Sequence, residues 1–186
     1  MKKVLIMLAE GFETLEALSV KDICARAGIA CDLCGVTNKV VASSHKIKVE
    51  ADVCFEEGNF SDYDAIVIPG GMPGSANLRD NIKVTSLVKE YYDNKKIVAS
   101  ICAGPIVLAK AGILEGKKVT SYPGFEEELG NVNYKEEVVV RDENIITSRG
   151  PATALEFSYE ILRALGFEEK AEEIKDGMLV NFYLSK

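Results

Sequence analysis

One cysteine of the chain stands where its side chain could react. Residues 96–105 read Lys-Ile-Val-Ala-Ser-Ile-Cys-Ala-Gly-Pro, an apolar strand that meets Cys102 and passes at once into helix-starting residues. Small residues at 99, 100, 103 and 104 permit a sharp corner, and Pro105 suits a first helical turn, where a missing N–H does no harm. The pattern is the cysteine counterpart of a nucleophile elbow, with Ser100 where the motif's first glycine would be. Backbone N–H groups and a helix start beside such a corner favour thiolate over thiol. Cysteine is also a small apolar residue that fills cores, so the corner alone leaves a reactive and a packing role open.

An acid can reach that corner. Helical spacing runs from Thr14 to Ala27, with Val20, Ile23, Cys24 and Ala27 on one stripe, and counting back four from Val20 lands on Glu16. A carboxyl group on a core-facing stripe has a raised pKa and can hold or donate a proton. Gly70 and Gly71 follow a second apolar strand, and the N–H groups of Gly71 and Ala103 are candidates for steadying an oxyanion. Each has a plainer alternative: Glu16 as an acid answering the helix dipole, the role assigned here to Glu13; the glycines as turn residues; Arg149 as a cap for carbonyls or a partner for a carboxylate.

The sole histidine is His45, and none follows Cys102. A cysteine peptidase or amidotransferase needs an imidazole within reach of its thiol, so both classes are disfavoured. His45 reads as a hairpin or surface residue, with a pocket or subunit interface as the alternative. Cys31 and Cys34 have redox-motif spacing but lie inside a strand-like run, and no second pair or nearby histidine accompanies them, so neither a redox motif nor a zinc site is expected.

The elements that must position these groups alternate. Residues 3–8, 29–36, 64–68 and 96–102 read as buried strands, 118–121 as the next, and 136–140 with 145–148 as two more around Asp142-Glu143-Asn144. Helices are expected over 14–27 and 81–93, from Pro105 to Gly112, after Ser148-Arg149-Gly150-Pro151 with Leu155, Tyr159, Leu162 and Leu165 aligned, and over 168–177. Val40 to Cys54 reads as a hairpin. The expected fold is a doubly wound α/β sheet in a single domain of residues 1–186, with chemistry at the carboxyl ends of the strands.

Composition narrows the classes. A formal charge of −7 offers no basic stripe, so neither stable nucleic-acid binding nor an anionic membrane suits the chain. Met1-Lys2-Lys3 precedes an apolar run of six residues, too short for a signal peptide, and no stretch reaches the ~18 apolar residues of a membrane span. Five cysteines without an export signal argue for reduced thiols and a cytoplasmic protein.

Five separated motifs then resemble the ThiJ/PfpI superfamily, in the branch of the Parkinson-disease protein deglycase. They are residues 9–16 (Ala-Glu-Gly-Phe-Glu-Thr-Leu-Glu), Arg26-Ala27-Gly28-Ile29, Ile68-Pro69-Gly70-Gly71, Ile101-Cys102-Ala103-Gly104-Pro105 and Thr147-Ser148-Arg149-Gly150-Pro151. The resemblance implies a flavodoxin-like fold and a homodimer, with Cys102 as redox-sensitive nucleophile and Glu16 as the protonated acid bonded to its sulfur. It implies action without cofactor or metal on methylglyoxal, related dicarbonyls or glycated adducts, or else a redox sensor and chaperone. The family's peptidase branch carries a histidine where this chain has Ala103. Tyr122 stands where human-like members place a pocket histidine, and His45 where they place an arginine near the dimer contact; with Gly70, Arg26 and Arg149 they are the further candidates for a pocket or interface.

Overall fold

The computed structural model describes residues 2–186, apart from the side chain of Glu57. In chain order the first half comprises β1 (Lys3–Leu8), α1 (Thr14–Arg26), β2 (Ala30–Gly35), β3 (Val40–Ala42), β4 (Lys48–Glu50), β5 (Val53–Cys54), β6 (Ala65–Ile68), α2 (Gly74–Asp80) and α3 (Ile82–Asp93). There follow β7 (Ile97–Ile101), α4 (Pro105–Lys110), β8 (Lys118–Val119), β9 (Asn133–Tyr134), β10 (Val139–Asp142), β11 (Ile145–Ser148), α5 (Ala154–Ala164), α6 (Glu168–Gly177) and α7 (Val180–Leu184).

Among the described residues the main sheet has seven strands in the order β10-β11-β7-β6-β1-β2-β5, parallel except for β10 at one edge. Its centre, β2-β1-β6-β7-β11, is the doubly wound order of flavodoxin-like folds, with the switch between β1 and β6. Alternation along β1 shows why both faces need helices. Val4, Ile6 and Leu8 enter the core under α1, α5 and α6, whereas Leu5 and Met7 enter the core under α3 and α4. The continuous apolar run of β1 is thus a strand buried on both faces.

Several sequence expectations are corrected. Residues 118–121 do not extend the main sheet: β8 pairs with β9 in a ladder of its own, and the N–H of Thr120 donates to Thr147 Oγ1 at 2.9 Å. The strand expected at 136–140 is displaced to Val139–Asp142, because pairing of Asp142 with Ile145 leaves Glu143 and Asn144 as the turn. Pro73-Gly74 opens α2, which the turn-like residues concealed. The hairpin formed by β3 and β4 is as expected, but Val53 and Cys54 leave it to pair in parallel with β2.

Candidate active site

Cys102 occupies the corner between β7 and α4 with φ of +64°, a left-handed conformation that side chains other than glycine rarely adopt. Long-range bonds hold it there. Its N–H donates to Ser148 O at 3.0 Å and its carbonyl accepts from Tyr122 N at 2.9 Å. Gly104 is demanded by space: a Cβ there would stand 2.5 Å from Ser100 Oγ and 2.7 Å from Ile68 O. The backbone N–H groups of Gly71 and Ala103 lie beside the sulfur of the partly exposed Cys102. The groups expected to face an oxyanion thus face the sulfur itself.

Glu16 lies in the first turn of α1, on the buried stripe that the periodicity gave it, and is fully buried. Its Oε2 accepts from Gly70 N at 2.7 Å and the carboxyl group lies beside the Cys102 thiol, while Oε1 is buried without a partner. Gly70 separates the two groups. A Cβ at that position would come within 2.6 Å of both Cys102 Cβ and Glu16 Oε2, so a side chain there would drive the pair apart.

Burial pushes the Glu16 pKa up to about 7, against the bonds from Gly70 and Cys102, with a further upward contribution from Glu13. Cys102 is pushed up to about 12, first by burial and then by the Glu16 carboxylate; the Ala103 and Gly71 N–H groups offset part of this. The elbow was expected to favour thiolate, and the structure reverses that expectation while Glu16 is ionised. Burial of the sulfur, with the Glu16 anion beside it, outweighs the two N–H groups. The two groups titrate as a pair. Over the interval between these values the pair holds one proton, on the sulfur, beside an ionised Glu16.

The remaining candidates divide. Tyr122 is pinned to Cys102 through its backbone, is 47% exposed, and lies beside Gly150, whose Cβ would meet its ring at 3.2 Å. Arg149 follows the residue that binds Cys102 N, and its Nη1 is buried without a partner among the described residues. Arg26 is not at the site. It pairs with Asp22 at 2.7 Å at the far end of α1, about 15 Å along the axis from Glu16. His45 stands at the tip of the β3–β4 hairpin beside Glu13 and not beside Cys102.

Glu13 is the neighbour that periodicity undervalued. It caps α1 by accepting from Leu15 N, and its carboxylate also receives Ser44 Oγ at 3.3 Å. The hairpin docks on this loop through Gly11 N to Ala42 O and Ser44 N to Phe12 O, at 2.8 and 2.9 Å. No local pattern announces such a contact. Cys31 and Cys34 fall on opposite faces of β2, in the two separate cores, so their spacing gives no pair. No cluster of three potential metal ligands occurs among the described residues.

Comparison with known proteins agrees with this geometry. The sequence model of the DJ-1/PfpI family matches residues 2–164. Protein dj-1beta of Drosophila melanogaster is 36% identical over 185 residues, covering 97% of this chain and 98% of that one. The Parkinson disease protein 7 homolog of Danio rerio is 34% identical over 184 residues, covering 96% and 97%. The crystal structure of Drosophila DJ-1beta superposes with a TM-score of 0.92 over 96% of this chain and 97% of that one, at 36% identity. That of oxidized Toxoplasma gondii DJ-1 does so with 0.90 over 96% and 98%, at 34% identity. With the strand order, the cysteine corner and these likenesses in agreement, the chain belongs to the DJ-1/PfpI family.

Proposed function

We propose that the protein is a cofactor-independent glyoxalase or deglycase acting on methylglyoxal, related dicarbonyls or their adducts. The observation that carries this reading is the Cys102 thiol set beside the buried Glu16 carboxyl group, which burial pushes up to about 7. The sulfur adds to the aldehyde carbon as the thiol proton passes to Glu16, and the N–H groups of Gly71 and Ala103 steady the negative charge. Glu16 then moves protons between the two substrate carbons through an enediol, which leaves a lactoyl thioester. Water cleaves that ester, releasing lactate and restoring the thiol. Cys102→Ser and Glu16→Gln are each expected to lower methylglyoxal conversion by at least ~100-fold, measured as lactate formed by the purified protein. Conversion at the wild-type rate by either variant overturns the mechanism.

A second reading, a redox sensor or chaperone, draws on the direction of the two N–H groups. Aimed at sulfur, they suit oxygens built on that sulfur as well as charge carried by it. Intact mass after mild peroxide separates the readings: selective gain of two oxygens at Cys102 supports sensing, and equal oxidation of all five thiols argues against it. The reading places the protein in the cytoplasm as a homodimer. The five thiols are unpaired, which suits a reducing compartment, and large apolar side chains are exposed on α1 and α7.

A further inference from the structure

Two cysteines meet away from the Cys102 corner. Cys24 lies on the inward stripe of α1 and Cys31 on the face of β2 that α1 covers, and both are buried in the same core. Their thiols lie side by side, and contact with the Cys24 thiol, then burial, pushes the Cys31 thiol up. The Cys31–Cys34 spacing yields no pair, whereas helix packing makes one from Cys31 and Cys24. Backbone and charge hold the contact. Ile29 N donates to Cys24 O at 2.9 Å in the turn between the two elements. Lys21, one turn before Cys24, donates from Nζ to Cys31 O and, at 2.8 Å, to Asp52 Oδ2, which accepts from Leu33 N at 2.8 Å. The end of α1 is thereby clamped onto β2.

We propose that Cys24 and Cys31 form a redox site separate from Cys102, which hydrogen peroxide converts to a reversible disulfide joining α1 to β2. In the first step one sulfur takes an oxygen from the peroxide: an S–O bond forms, the O–O bond breaks, and water leaves a sulfenic acid behind. The neighbouring thiol then attacks that sulfur. An S–S bond forms as the S–O bond breaks, and the thiol proton departs with the hydroxyl as a second water. The two thiols lose two electrons and the peroxide gains them. Closing the pair to the ~2 Å of a disulfide draws the last turn of α1 onto β2. Cys102 follows another course, because a carboxyl group and two N–H groups lie beside its sulfur and its sulfenic acid meets no thiol there. Burial of Cys24 and Cys31 makes the first step wait for opening of the helix end, so the pair answers sustained exposure to oxidant.

Peptide mapping without reductant tests the site on the whole protein. Hydrogen peroxide is applied until the partly exposed Cys54 and Cys102 are fully oxidised, and the remaining thiols are blocked with iodoacetamide in denaturant. Cleavage after Lys21 and Arg26 separates the two cysteines, so the expected product is a cross-linked pair of peptides, lighter than their sum by two hydrogens, that dithiothreitol splits. The link is expected unchanged in Cys102→Ser and in Cys34→Ala, and absent in Cys31→Ala, where Cys24 carries oxygen instead. Recovery of Cys24 and Cys31 from the wild type as blocked free thiols, or each with oxygens of its own, overturns the proposal. So does a link that needs Cys34. Because the link persists in Cys102→Ser, failure of the reaction proposed at Cys102 leaves this site standing.

Discussion

Glu16 shows how one side chain can be placed by periodicity yet given its properties by the fold. Its folded pKa of about 7 lies above the ordinary 4.5, so the protonated form is favoured in the native state. The associated stability is fully present below pH 4.5 and is lost as pH rises through about 7. The loss amounts to roughly 3 kcal/mol, comparable with what one fully buried Val or Ile on the same helix contributes, so α1 tolerates the acid because Val20 and Ile23 are buried beside it. Glu16→Gln is therefore expected to gain stability relative to wild type as pH rises across that interval, by about 3 kcal/mol in total. Urea unfolding of both proteins at the two ends of the interval checks this; parallel stability curves would show that Glu16 carries no raised pKa. Cys102 was legible as a corner residue from its small neighbours, but the direction of its pKa was not. That depends on a carboxyl group contributed by a different element.

At the scale of elements, strands and long helices followed from periodicity, whereas short pieces followed from contacts. α3 is a locally written helix: Asn81 Oδ1 accepts from Lys83 N at 3.0 Å and Val84 N at 3.3 Å, and Val84, Val88 and Tyr91 recur on its buried face. Asn81→Ala is expected to cost about 1 kcal/mol, read as a lower denaturant midpoint, with Cys102 alkylation unchanged. α2 is the opposite case. Gly74 reads as a turn residue, yet a Cβ there would lie 2.7 Å from Phe12 N, so the glycine answers a distant chain segment and begins a helix all the same. β8 likewise stays outside the main sheet: it pairs with β9, and the Asp142 side chain takes its Lys118 N–H at 2.8 Å.

For the whole molecule, the two faces of the sheet are closed by separate cores, and apolar surface remains outside them. Leu15 on α1 and Phe182, Tyr183 and Leu184 at the C-terminal end are exposed, while neighbouring Leu18, Met178 and Val180 pack into one and the same core. Exposed apolar groups of this size mark association surfaces, in keeping with the proposed homodimer. Light scattering is expected to give twice the 20.3 kDa chain mass, and a monomer at all concentrations would overturn the dimer. The sequence by itself determined the alternation of strands and helices, the cysteine corner and the inward-facing acid, because each is written in contiguous residues or in a helical period. Tertiary structure alone decided that Gly70 holds the Glu16 carboxyl group beside Cys102, that Arg26 is remote, that the thiol pKa is raised and not lowered, and that His45 lies against Glu13. Those outcomes depend on burial and on fields between groups such as Glu16 and Gly70, 54 positions apart, whose approach no local pattern encodes.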